Sequence, residues 1–283
     1  YLFMRTIHTD MIAAAVGMLI ERTSFALPAH TLAVFTALRD AEENERAKST
    51  MDVLLENAHI AAQERLPLCQ DCGAAIVFAE IGQDIHLEGM PLADAINEGI
   101  RAAYEKLFLR KSIVADPLRR VNTNTNTPGF IHADIVPGEN VSLTVYLKGG
   151  GSENASSLKM FNPTASEAEI IDYIVDAVVR AGPNPCPPIF LGVGIGGTAD
   201  VAMLNAKKAV LRGAKTPHQD PYYAQLEDEL LHRINNTGIG PLGWGGRSTA
   251  AGVFIKESPC HIASLPVALN MNCHSLRYAT EVL

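Results

Sequence analysis

The chain has 283 residues, 47% of them hydrophobic and 19% charged, a composition typical of a globular protein with an ample core. Its formal charge of −8 argues against general nucleic-acid binding, so we expect no nucleic-acid partner. The sequence shows neither an apolar run that we expect to cross a bilayer nor an export signal at its start, so we expect no membrane association. Five cysteines in such a chain favour reduced thiols in the cytoplasm, available for a metal or a cluster.

Helical periodicity dominates the first part of the chain. Apolar residues recur there every three or four positions between polar ones, which predicts a helical layer packed on another element. Further along, Ser166 precedes two acidic residues, Glu167 and Glu169, in the pattern of a helix N-cap. The predicted helices cover residues 6–25, 31–45, 50–64, 92–109, 166–182, 199–212 and 222–235.

Short apolar or alternating runs between these helices predict β-strands. A turn at 82–84 suggests that 85–87 pairs with 74–81, and a turn at 137–140 predicts an antiparallel hairpin of its two flanking runs. Without a repeat or a convincing linker, the pattern favours an α+β fold, a single domain over residues 1–283 with a helical layer packed on an antiparallel or mixed sheet. The predicted strands cover residues 74–81, 85–87, 130–135, 141–147, 189–191, 251–257 and 262–269.

Three loops between these elements have a composition suited to ligand binding. The glycines of 148–154 follow a strand, where backbone amides can form an anion nest, although a flexible linker is the alternative. The G-x-G-x-x-G pattern at 192–197 is typical of dinucleotide sites, but no acidic strand end follows it, so we favour close packing over a nucleotide-binding protein. The Asn-Thr run at 122–127 fits a solvated loop and a pocket lining equally well.

Three cysteines, Cys69, Cys186 and Cys273, each lie near glycine, proline or polar residues and far apart in the sequence. Such spacing does not suit a zinc knuckle, which needs short paired intervals. An iron–sulfur cube held by three thiolates would keep one open iron, able to act as a Lewis acid on a substrate. The alternative is that these cysteines are buried small apolar residues, and the residues alone leave both interpretations open.

Four motifs occur in an order that resembles the iron-dependent class I fumarate hydratases. More narrowly, the chain is similar to the α subunit of their two-subunit form, whose relatives include L-tartrate dehydratase. The resemblance extends from about Met4 to the end of the sequence. Its motifs are P-L-C-Q-D-C-G at 67–73, K-G-G-G-S-E-N at 148–154, N-P-C-P-P at 184–188 and H-I-A-S-L-P-V at 261–267.

The resemblance implies a set of site residues. Cys69, Cys186 and Cys273 match the ligands of a [4Fe–4S] cluster with one open iron site. The implied substrate contacts are Gln70, Asp71, Arg110 and the amide of Gly150, and the implied catalytic residues are Asp71 and His261. Arg110 matches a residue that grips a substrate carboxylate, a task that suits a planar guanidinium. His261 matches a histidine that a two-fold dimer delivers into the neighbouring site, with a solvated turn as the alternative.

The implied reaction is the reversible hydration of a small dicarboxylate, most simply fumarate to (S)-malate. L-Tartrate dehydratase and a mesaconate-type hydratase are the alternatives. Nothing here matches the further domain of the single-chain enzymes, so a separate β subunit is expected to supply the rest of the active site. Two thiols depart from the family's pattern: Cys72 stands where the family has Thr, and Cys260 precedes His261.

Overall fold

The computed structural model describes residues 5–213 and 216–283. They form two compact units, and one of the boundaries between the units falls inside the helix α3 (Glu45–Glu64). The first unit contains residues 5–27, 58–150 and 277–283, and the second contains 28–57 and 151–276. Whether the two units act as the single expected domain stays a prediction.

The first unit is a four-stranded mixed sheet covered by two helices. The strand order is β10-β5-β2-β4, in which β2 pairs antiparallel with β5 and parallel with β4. Helices α1 and α4 pack together, and α1 also contacts β5 and β10. The elements are β1 (Arg5–His8), α1 (Thr9–Phe25), β2 (Ala74–Gly82), β3 (Ile85–Glu88), α4 (Leu92–Lys106), β4 (Phe130–Val136), β5 (Val141–Lys148) and β10 (Arg277–Val282).

The second unit repeats this pairing pattern in another four-stranded sheet. The strand order is β6-β9-β7-β8, in which β7 pairs antiparallel with β9 and parallel with β8. Apolar side chains of β7 and β9 pack with α6 and α8, whereas α7 packs on the same strands through alanines. The elements are α2 (Ala29–Ala41), α5 (Gly150–Glu153, beginning at the unit boundary), β6 (Ser157–Phe161), α6 (Glu167–Ala181), β7 (Ile189–Gly196), α7 (Ala199–Ala209), α8 (Pro221–Asn235), β8 (Ala250–Ser258) and β9 (Leu265–Asn272).

The predicted α+β class with helices on mixed sheets is confirmed, and the predicted cap at Ser166 is present as a capping box with Glu169. Two local pairings are wrong. β4 and β5 do not form a hairpin, because β2 lies between them, and β3 pairs with β1 and not with β2. In both cases the pairing joins strands that lie far apart in the sequence, which a local turn pattern cannot reveal.

Thr9–Ala41 meets the length and hydropathy expected of a membrane span, contrary to the sequence expectation that no such run exists. The segment is two helices, α1 and α2, separated by Ala26–Pro28 in extended conformation. One face of α1 is buried in the core of the first unit, with Ile12, Val16 and Ile20 fully enclosed. Length and composition alone are therefore weak evidence for a membrane helix, since a core helix meets the same criteria.

Candidate active site

The strand order of the first unit brings several loops to one edge of its sheet. Because β2 and β5 are antiparallel, with Ala74 opposite Lys148, the loop before β2 meets the loop after β5. The start of β10 lies there too, with Arg277 opposite Leu147. Three of the sequence-predicted residues, Gln70, Asp71 and Gly150, belong to these loops.

Asp71 links the two loops directly. Its Oδ2 accepts a hydrogen bond from the backbone N–H of Gly150 at 2.7 Å, and its Oδ1 accepts one from the N–H of Gly73 at 3.0 Å. Gly73 has a φ of +81°, and a Cβ there would lie 3.0 Å from the backbone nitrogen of Lys148, so only glycine suits this position. The structure thus places two predicted substrate-binding residues, Asp71 and Gly150, in contact.

Cys72 is a packed thiol within the same loop. It is 3% exposed, and burial raises the pKa of its thiol above the ordinary range, which favours the protonated form. Its Sγ accepts the backbone N–H of Arg110 at 3.2 Å. These contacts are enough to explain the burial of Cys72 in this loop, with no need for a metal. They also connect Arg110, the predicted carboxylate-binding residue, to the loop of Asp71.

The guanidinium of Arg110 is exposed and forms no ion pair within the described part of the chain. It is therefore able to bind an incoming carboxylate with both of its terminal nitrogens. In the loop before β2, Gln70 accepts a hydrogen bond from the Cys69 thiol at 3.0 Å through its Oε1. Cys69 itself is partly exposed.

Two residues that hold this loop were missed by the sequence reasoning. The buried Tyr104 hydroxyl donates to the carbonyl oxygens of Cys72 and Gly73, both at 2.9 Å. Asn126, fully buried with a φ of +59°, donates to the Gly73 carbonyl at 3.1 Å and accepts the N–H of Ser112 at 2.7 Å. An available signal was the repeated asparagine, since Asn tolerates positive φ better than most residues.

The second unit brings the other two candidate ligands to adjoining turns. Cys186 precedes β7 and Cys273 follows β9, and these strands are antiparallel with Phe190 opposite Asn272. The carbonyl oxygen of Cys186 accepts the backbone N–H of His274 at 3.2 Å and lies 3.1 Å from its ring Nδ1. Cys186 is exposed, with a φ of +56°.

The donor chemistry of these cysteines suits an iron–sulfur cluster. Among residues 5–213 and 216–283, no three His, Cys, Asp or Glu side chains surround a single metal position. Three thiolates that hold a cube bind three different irons, so they lie further apart than the ligands of one ion. Two buried polar groups without a hydrogen-bond partner lie close to Cys273 in the sequence. They are the side-chain amide of Asn270 and the Nε of Arg277. The meeting of Cys69 with Cys186 and Cys273 stays a prediction.

His261 lies in an exposed turn of the second unit. Its Nδ1 accepts the N–H of Ala263 at 3.1 Å, and its carbonyl oxygen accepts the N–H of Ser264 at 2.9 Å. The Nε2 of the ring takes no part in this hydrogen bond. It is accessible, because His261 is exposed. Delivery of His261 to a neighbouring site stays a prediction, and Cys260 before it is also exposed.

The glycines of the G-x-G-x-x-G pattern pack a helix closely on a strand. A Cβ on Gly192 would lie 1.9 Å from the carbonyl oxygen of Ala206, and one on Gly194 would lie 1.9 Å from that of Ala202. Both glycines lie within β7 and face α7. Backbone contact with α7 therefore accounts for two of the glycines, as the sequence interpretation favoured.

Comparison with known proteins identifies the family of this chain. Residues 13–282 match the family model described as fumarate hydratase (Fumerase). The chain is 42% identical over 257 residues to a putative L(+)-tartrate dehydratase subunit alpha of Methanocaldococcus jannaschii, covering 88% of this chain and 90% of the relative. It is 28% identical over 276 residues to the L(+)-tartrate dehydratase subunit alpha of Escherichia coli K12, covering 96% and 89%.

These comparisons identify a lyase that adds or removes water. The chain belongs to the fumarate hydratase (Fumerase) family and is a hydro-lyase, as the resemblance predicted.

Proposed function

We propose that this chain is the α subunit of a [4Fe–4S]-dependent hydro-lyase that reversibly hydrates fumarate to (S)-malate. The observation that carries the proposal is the 2.7 Å bond between Asp71 and the amide of Gly150, with Arg110 tied to the same loop through Cys72. This arrangement combines a carboxylate, a glycine loop and an exposed guanidinium at one sheet edge. Such a set suits a small dianionic substrate.

Cys69, Cys186 and Cys273 would hold the cluster, each as a thiolate. When bound, the cluster supplies a Lewis acid at the iron that lacks a protein thiolate. The exposed Cys186 and the partly exposed Cys69 and Cys273 are accessible for this role. We also expect a reducing cytoplasmic compartment, because thiolates that oxidise to disulfides cannot hold iron.

The chain's own residues bind and orient the substrate. Arg110 pairs with one carboxylate, and Gln70 offers an amide beside it. Asp71 accepts hydrogen bonds from Gly73 and Gly150, which fix its orientation before substrate arrives and limit the entropy lost on binding. A fixed carboxylate there can accept the proton of a substrate hydroxyl.

Other parts of the active site come from partners. Both relatives named above are called subunit alpha, so we propose a separate β subunit that supplies the base for the proton next to a carboxylate. We further propose that a two-fold dimer of this chain delivers His261 to the neighbouring site. The exposure of His261 is compatible with that role.

L(+)-Tartrate dehydration is a second candidate. The observation that favours it is that both relatives reported above carry the name of that activity. Arg110 and Asp71 serve either substrate, because fumarate and tartrate share two carboxylates. The discriminating groups would contact the tartrate hydroxyls, and we expect some of them on the β subunit.

The test is purification of the chain under anaerobic conditions, with and without a β subunit. Loss of fumarate absorbance, compared with turnover of L(+)-tartrate and mesaconate, identifies the substrate. We expect activity only in the complex, with iron and acid-labile sulfide bound. Robust hydration by the chain alone would contradict the need for β, and tight nicotinamide-dinucleotide binding without iron would favour a nucleotide-binding protein instead.

A further inference from the structure

Arg277 is a buried cation at the start of β10. It is 2% exposed and is among the largest fully enclosed side chains. Its Nε has no hydrogen-bond partner, and within the described part of the chain the guanidinium forms no ion pair. Burying a charge without a counter-charge costs several kcal/mol, so a compensating anionic group is expected nearby.

The nearest carboxylate that the geometry identifies is Asp71, across Gly149. A Cβ built on Gly149 would lie 3.3 Å from Oδ2 of Asp71 and 3.9 Å from Nη2 of Arg277. The carboxylate oxygen and the guanidinium nitrogen therefore both lie within 4 Å of the same point beside this glycine. Opposite charges this close attract each other strongly when one of them is buried, because water screens them little.

The positive charge of Arg277 also acts on the groups around the Asp71 loop. It opposes the effect of burial on the pKa of Tyr104 and of Cys72, both of which burial raises. Tyr104 and Cys72 hold the loop in place through hydrogen bonds. Both groups therefore lie close enough to Arg277 to be affected by its charge.

We propose that Arg277 is a positioning residue for Asp71 and acts through the attraction between its guanidinium and the Asp71 carboxylate. The catalytic part of this inference rests on the proposed function, whereas the Arg277–Asp71 coupling does not. Asp71 already accepts two backbone N–H groups. A third, charge-assisted interaction would fix the plane of its carboxylate and neutralise the buried charge of Arg277.

The first test compares Arg277→Met with Arg277→Lys in the anaerobic α/β complex. We expect Met to lower kcat by at least about tenfold with KM within about twofold, and Lys to restore most of the activity, because it keeps the charge. A purely structural Arg277 predicts the reverse: Met removes an unpaired buried charge and leaves kcat unchanged. Arg101→Met, an exposed arginine paired with Glu98, is the control and should change nothing.

The second test measures unfolding midpoints of the full-length cluster-free chain, so it does not depend on activity. A double-mutant cycle of Arg277→Met and Asp71→Asn should be non-additive, since interacting charges share their energy. Additive shifts would overturn the coupling even if the hydro-lyase activity is confirmed. Coupling without activity would instead count against the proposed function alone.

The third test addresses the orientation of the Asp71 carboxylate. Gly149→Ala keeps both charges but places a methyl group 3.3 Å from Oδ2 of Asp71, a tight contact that should displace the carboxylate and lower kcat as Arg277→Met does. Gly17→Ala on α1, where a Cβ has no atom nearer than 3.8 Å, is the matched control. Wild-type kcat in the Gly149 variant would show that the orientation of Asp71 does not matter and would overturn the positioning role.

Discussion

The carbonyl oxygen of Cys186 lies 3.1 Å from the ring Nδ1 of His274, 88 residues further along the chain. The backbone N–H of His274 donates to the same oxygen at 3.2 Å. One histidine thus joins the turn of Cys186 to the turn of Cys273, its own neighbour in sequence. We expect the orientation of both thiols to depend on this contact.

Replacing His274 by Ala should reduce cluster binding without abolishing it. The ring hydrogen bond is lost, while the backbone bond and both cysteines remain, so the two turns become looser. We expect iron and acid-labile sulfide per chain to fall partially after anaerobic reconstitution. His232→Ala removes an exposed ring bonded to Asn236 and should leave the iron content unchanged; equal loss in both variants would contradict the specific role of His274.

Substitution with Ser should distinguish the cysteines that bind the cluster from those that do not. Cys186→Ser is expected to remove the cluster and bleach its brown visible absorption, because a neutral hydroxyl is a poor iron ligand. Cys72→Ser and Cys260→Ser should retain iron, since Cys72 is occupied by the N–H of Arg110 and Cys260 is not an expected ligand. Unchanged iron in the Cys186 variant would exclude Cys186 from the ligand set.

Glu42 should stabilise the second unit strongly. Its carboxylate is 5% exposed and accepts the N–H groups of Asn44, Arg247 and Ser248 and the hydroxyl of Ser248 at 2.9–3.2 Å. Glu42→Ala leaves these donors unpaired and is expected to cost about 3 kcal/mol of unfolding free energy in a urea titration. Glu43→Gln, at an exposed ion pair with Arg247, should cost less than about 1 kcal/mol.

The same carboxylate predicts a pH dependence of stability. Burial acts to raise the pKa of Glu42, but its hydrogen bonds outweigh burial and hold the pKa below the ordinary value of 4.5. The unfolded state therefore takes up the proton first as the pH falls. The stabilisation by Glu42 is fully present above the unfolded pKa and is lost as the pH falls through the folded pKa. Glu42→Gln should flatten this acid limb of the unfolding free energy, and an unaltered limb would contradict the assignment.

Gly194→Ala should destabilise the second unit by at least about 2 kcal/mol, because its Cβ would lie 1.9 Å from the Ala202 carbonyl oxygen and force α7 away from β7. Thermal or urea unfolding measures this loss, with Gly17→Ala as the control. Titration of the wild type with nicotinamide dinucleotides should show no saturable binding. A stable Gly194 variant, or tight dinucleotide binding, would contradict the packing role of these glycines.

Local sequence patterns predicted the helices and most strands well, because amphipathic periodicity is a property of neighbouring residues. The N-cap at Ser166 involves only neighbouring residues, whereas the strand before α7 showed a local apolar pattern but is completed by pairing with β8 and β9. The motifs around Cys69, Gly150 and Cys186 likewise indicated the family, since their residue types carry the chemistry. Sequence spacing alone left the role of the thiols open.

Only the tertiary structure decided which strands pair and which residues each site residue contacts. β2 lies between β4 and β5, and this long-range choice brings Asp71, Gly150 and Arg277 to one edge. The antiparallel pairing of β7 with β9 similarly brings His274 to Cys186. Such contacts join residues many positions apart, and their free energy comes from burial and hydrogen bonds that no local pattern records.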